Sequence, residues 1–144
     1  MRAPGFTLIE TLVVLLIMAL AATALPRIWG AGQGGLVRAA ANDAAALLRE
    51  ARAEARRTGR DTRVVFDTAL GTFQRIGGSR TGRLPAGGTL AVDGAREEAD
   101  REGRIAVRFD SEGGSTGGRV RVTNGSAVAA IEIDWMTGLV RALP

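Results

Sequence analysis

Glu10 is the one ionisable residue between Phe6 and Leu25, a twenty-residue run that is otherwise apolar or carries only threonine hydroxyls. As a helix this run covers about 30 Å, the thickness of a bilayer's hydrocarbon. A carboxylate at mid-membrane costs about 2.5–3.5 kcal/mol on insertion scales, so Glu10 needs a partner or a task. The rest of the chain offers little other reactive chemistry. Its 144 residues contain no Cys, His or Tyr, and every basic residue is Arg. Thiolate chemistry, disulfides, the commonest metal ligand and the commonest general base are therefore absent. Ser111, Ser115 and Ser126 have no obvious base to activate them. Asp93, Glu97, Glu98 and Asp100 are oxygen ligands in type. Arg96 and Arg101 lie among them, so a solvated, salt-bridged loop is expected instead. Asp110-Ser111-Glu112-Gly113 offers too few spaced ligands, and no Lys-Ser/Thr follows the glycines of Gly113 to Gly118 to make a phosphate loop. No catalytic residue, metal or cofactor is expected, and the chain reads as a non-enzyme.

The elements around Glu10 follow from pattern. Met1 to Gly5 is a short polar leader, and an apolar helix is expected over 6–28. Pro26 and the glycines Gly30, Gly32, Gly34 and Gly35 predict a bend or a poorly formed section at 29–35, or a flexible linker. Trp29 stands where an interfacial aromatic would sit. From Leu36 an apolar stripe recurs at helical period through Val37, Ala40, Ala44, Leu47, Leu48, Ala51 and Ala55. Arg56 and Arg57 before Gly59 mark the stop of a helix over 36–58. Arginines alternate with Glu50 and Glu54 there, which reads as a solvated face.

The remainder alternates as short antiparallel strands: 60–66, 72–76, 89–92, 104–109, 119–123, 129–135 and 139–143, with 77–88 as loop. The expected core comprises Leu47, Leu48, Ala51, Phe66, Ile105, Val107, Phe109, Val120, Val122, Ile131, Ile133, Trp135 and Val140. The net charge of +4 is modest and the arginines are scattered, so nucleic acid is not called for as a partner.

Gly5-Phe6-Thr7-Leu8-Ile9-Glu10 ahead of the apolar run resembles the processing signal of type IV pilins and type II secretion pseudopilins. The resemblance implies that a prepilin peptidase cuts between Gly5 and Phe6 and N-methylates Phe6. It gives Glu10 an assembly role, as the buried acid that pairs with the terminal amine of a neighbouring subunit. The physics agrees. Glycine at a scissile position leaves the backbone open to a protease. A paired charge in a low-dielectric setting is penalised much less than a lone one. Identical helices joined head to tail without closing form a filament.

Later stretches extend the likeness. Leu47 to Ala55 with Thr58-Gly59-Arg60, Phe109-Asp110 with Gly114 to Gly118, and Ile133-Asp134-Trp135-Met136-Thr137-Gly138-Leu139-Val140 resemble the minor pseudopilin H group of type II secretion. That resemblance implies an α+β, pilin-like fold, a long N-terminal helix packed on antiparallel sheets. It implies a single-pass inner-membrane protein whose domain, 36–144, lies in the periplasm and enters a filament that drives protein export. The implied partners are other pseudopilins, major and minor, the prepilin peptidase, an inner-membrane assembly platform and the membrane itself. Two alternatives stay open. One is a minor pilin of type IV pili, some of which take up DNA through a Gly-Arg-x-Arg motif. Gly118-Arg119-Val120-Arg121 fits those letters but lies on a strand, and Gly138-Leu139-Val140-Arg141 lacks the first arginine. The other is a soluble exported protein cut at an ordinary signal ending Ala22-Thr23-Ala24.

Overall fold

The computed structural model describes residues 8–94 and 103–143, with the side chains of 22–31 excepted. The element order is α1 (Leu8–Thr58), β1 (Thr62–Asp67), β2 (Thr72–Arg75), β3 (Thr81–Arg83), β4 (Thr89–Asp93), β5 (Arg104–Phe109), β6 (Gly118–Asn124), β7 (Ala127–Ile133) and β8 (Val140–Leu143). Two compact units divide the chain at Gly32/Gln33. The first contains only helix among its described residues; the second contains the rest of α1 and every strand.

α1 is helical throughout its 51 residues, the stretch 29–35 included. The glycines there lower helix propensity by about 1 kcal/mol each, yet each retains the N–H and C=O that a helix uses. Pro26 is also within α1. At the other end Gly59 adopts φ +65°, its N–H donates to the Ala55 carbonyl at 2.9 Å, and the helix stops where the sequence predicts.

In the unit Gln33–Pro144 the strands form two four-stranded antiparallel sheets, β3-β2-β1-β5 and β4-β6-β7-β8. Alternation sets their inward faces. Val64, Phe66, Phe73, Val107 and Phe109 are buried from the first sheet, and Leu90, Val120, Val122, Ala129, Ile131, Ile133 and Val140 from the second. They join one apolar cluster with Val37, Ala40, Ala41, Ala44, Ala45, Leu47, Leu48, Ala51 and Ala55 of α1. The alanines keep that face of α1 shallow, which lets a helix lie close to a sheet. Phe66 and Phe73 are register partners whose rings sit 5.9 Å apart and tilted by 33°.

Four details differ from the pattern reading. β3 forms inside the expected loop 77–88, and its Gly82 is the register partner of Phe73. A Cβ at Gly82 would lie 2.0 Å from the Phe73 ring, so glycine is needed there to let the ring cross the strand. Trp135 is not core but 66% exposed, because β7 ends at Ile133 and the chain turns at Asp134. Leu36 is 56% exposed, since the buried stripe begins at Val37. Ile105 is half-buried.

Candidate assembly surfaces

Glu10 lies in the first described turn of α1 and is exposed. A carboxylate in the first turn of a helix is favoured by the peptide dipoles. Around it Leu8, Ile9, Leu12, Val13, Val14, Leu15, Leu16, Ile17, Met18 and Leu20 are all exposed, Leu8 by 82%. Thr11 turns its hydroxyl back to the Leu8 carbonyl at 2.9 Å, so that polar group is satisfied within the helix. The result is a helix that is apolar on every side and carries one acid. Such a surface calls for an apolar surrounding, lipid or other helices. Among the described residues no helix is long and apolar enough to cross a membrane. The described side chains of this run cover 8–21, fewer than the about 20 residues that a span requires. Gly5 and Phe6 lie outside the described residues, as do Glu97, Glu98 and Asp100.

The second unit has its own distinctive surface, built around Trp135, which the pattern reading placed in the core. Asp134 Oδ1 accepts from the backbone N–H of Thr137 at 2.8 Å, the Thr137 hydroxyl at 2.8 Å and the Met136 N–H at 3.1 Å. The Thr137 backbone donor, then its hydroxyl, hold the Asp134 carboxyl below the usual aspartate range, with smaller help from the Met136 N–H and Arg141. This fixed turn projects Trp135 and Met136, both 66% exposed, with Leu139 exposed beside them. The adjoining β5–β6 loop is fixed in the same way. Asp110 Oδ1 accepts from the N–H groups of Glu112, Gly113 and Gly114 at 2.8–2.9 Å. Arg52 of α1 donates from Nε to the Gly113 carbonyl at 3.2 Å, and Arg49 donates to the Val140 carbonyl at 3.2 Å. These two helix arginines therefore hold the β5–β6 loop and the start of β8 and are not merely a solvated fringe. The signal available in the sequence was Asp-x-x-Thr before a glycine, a side-chain-capped turn.

The Gly118-Arg119-Val120-Arg121 stretch lies on β6 as expected. Its arginines sit 3.6 Å from Glu132 and 3.3 Å from Asp93 on the flanking strands. The arrangement is a ladder of exposed ion pairs across a sheet.

Comparison with known proteins fits both units. The family model described as type II transport protein GspH matches residues 40–138, and the prokaryotic N-terminal methylation motif matches residues 1–26. The chain is 35% identical over 141 residues to the type II secretion system protein H of Xanthomonas campestris, covering 97% of this chain and 83% of that one. Among solved structures, the minor pseudopilin EpsH from the type 2 secretion system of Vibrio cholerae aligns with a TM-score of 0.60 at 16% identity, covering 75% of this chain and 96% of that one. The type IV minor pilin FimU of Pseudomonas aeruginosa aligns with a TM-score of 0.57 at 15% identity, covering 75% and 88%. The two structural likenesses establish the pilin-like α+β fold. With the family model and the 35% identical relative beside them, the chain belongs to the type II transport protein GspH family, behind an N-terminal methylation motif.

Proposed function

We propose that this chain is a minor pseudopilin: a non-catalytic subunit of the type II secretion pseudopilus, cut between Gly5 and Phe6 and N-methylated at Phe6. Family membership already makes it an envelope-associated protein that interacts with other pseudopilins. The finer reading is a single-pass inner-membrane protein with Gln33–Pro144 in the periplasm. Prepilin peptidase processes it, and an inner-membrane platform draws it into the filament that exports folded proteins. The observation that carries this reading is Glu10, a single exposed acid at the start of an all-round apolar helix. A freed Phe6 ammonium from an adjacent subunit pairs with that acid and is penalised much less than either charge buried alone. FimU shares the fold, but the family model and the 35% identical relative favour secretion over the pilus.

Mass spectrometry of the native N-terminus tests the processing. A methylated Phe6 start is expected. A start at Leu25, after Ala22-Thr23-Ala24, would mean an ordinary signal peptide and end the filament reading.

A further inference from the structure

The sheet β3-β2-β1-β5 ends on β3, whose residues Thr81, Gly82 and Arg83 bring no apolar side chain to the core. Behind Gly82 lies the ring of Phe73, only 1% exposed. The chain is tied down on either side of this strand. The Ile76 N–H donates to the Arg63 carbonyl of β1 at 2.9 Å, and the Leu84 N–H to the Gly71 carbonyl at 2.9 Å, with the Leu84 side chain buried. Between these points a Cβ built on Gly77 meets open space. The segment 77–83 thus covers a buried aromatic and the outer edge of β2 while adding nothing apolar of its own.

Charge ties this segment to α1. Arg80 Nη2 lies 2.9 Å from Asp43 Oδ1, and Arg75, at the foot of the segment, lies 3.4 Å from Glu50 Oε1. Asp43 and Glu50 are seven residues apart on α1, about two turns, so one helix face carries both. The Arg80–Asp43 pair is more than half exposed on both sides, the kind of ion pair that contributes least and that salt screens. Arg75 is more enclosed, and the Gly78 backbone closes over its guanidinium, where a built Cβ would lie 3.2 Å from Nη2. Arg75 Nε is buried with no hydrogen-bond partner among the described residues. A donor left dry in this way is penalised, and lifting the turn off the guanidinium lets water reach it. Weak latches therefore hold the closed state against a built-in opposing term.

We infer that 77–83 is a strap, latched to α1 through Glu50–Arg75 and Asp43–Arg80, which opens as one unit and uncovers the β2 edge and the Phe73 ring while the rest of both sheets stays closed. Local opening of this kind is a property of segments with few buried apolar contacts. An uncovered strand edge is a template for another strand, so the two ion pairs decide when the unit offers one. The strap belongs to the unit Gln33–Pro144 and stands apart from the filament reading.

Hydrogen exchange of the full chain in detergent, read by mass spectrometry, tests the strap. At low salt the amides of β3 exchange faster than those of β7. Sodium chloride at about 1 M accelerates β3 by about 1.5–5-fold and leaves β7 unchanged. Asp43→Asn and Glu50→Gln, both at exposed positions outside the core, each accelerate β3 by a similar factor. In the double variant added salt has no further effect. Amides of β3 as slow as those of β7, exchange indifferent to salt and to both substitutions, or β7 accelerating in step with β3 would each overturn the strap.

Discussion

From Leu8 to Leu20 the large apolar side chains of α1 point to every side and are exposed; from Val37 to Ala55 they line one face and are buried. The same helix thus carries two kinds of apolar surface. The second is satisfied within the chain by the two sheets, each fully buried leucine contributing about 1.5–3 kcal/mol. The first is exposed along its described residues. On the proposed reading stability belongs to the second part and assembly to the first, and substitutions should separate the two.

Phe66→Ala or Leu48→Ala should have the largest effect on stability. Both residues are fully buried, and a loss of about 2–5 kcal/mol is expected, read by denaturant unfolding of the chain. Leu12→Ala and Leu15→Ala, in the exposed half, should leave that transition unchanged. Glu10→Ala should show the converse pattern. The unfolding midpoint stays put and cleavage at Gly5 continues, while filament assembly falls by about 10²–10³-fold as a buried ammonium loses its partner. Normal assembly in that variant would break the comparison, since the exposed half would then be a plain anchor.

Gly82→Ala comes next. The new methyl would meet the Phe73 ring that bounds the core, and about 1–3 kcal/mol of destabilisation is expected from the same unfolding measurement. The smallest effect is that of pH on the Asp134 turn. The folded carboxyl is held below its ordinary value, so its contribution is complete above about pH 4 and lost as the pH falls further. Asp134→Asn should therefore lower the melting temperature slightly at neutrality, leave it nearly unchanged in acid, and so flatten the acid limb of the melting temperature against pH. An unaltered acid limb would show that the turn is held by other means.

Much of this division was legible in the residues. The apolar run with its lone acid, the helical stripe up to Gly59 and the alternation of β5, β6 and β7 are direct consequences of period. Periodicity identifies a face but does not say where a layer ends, and Trp135 of the expected core and Leu36 of the expected stripe are misplaced for that reason. Trp135 continues the Ile131–Ile133 alternation one step past the end of β7, and Leu36 extends the helical stripe one position before Val37. β3 was invisible for another reason. Three residues in a Gly- and Arg-rich stretch carry no apolar alternation, and its pairing depends on a distant ring, Phe73. Phe73 itself, Val64, Leu84 and Leu90 were missed as core because they sit in short strands or loops with too few neighbours for a pattern. Of the candidate site, the acid was readable from its setting. The exposed tip was not, since a tryptophan looks equally at home on either face of a strand.

Gly138 lies against the Gly113 carbonyl so closely that a Cβ built on it would fall 2.2 Å from that oxygen, with Arg52 behind. The β5–β6 and β7–β8 loops therefore behave as a single mechanical part, although 24 residues separate their touching glycines. An insertion in either would dislodge the other, so the pair can change only in concert. A fluorophore or epitope graft belongs instead at the turn around Gly77, where a built Cβ meets open space.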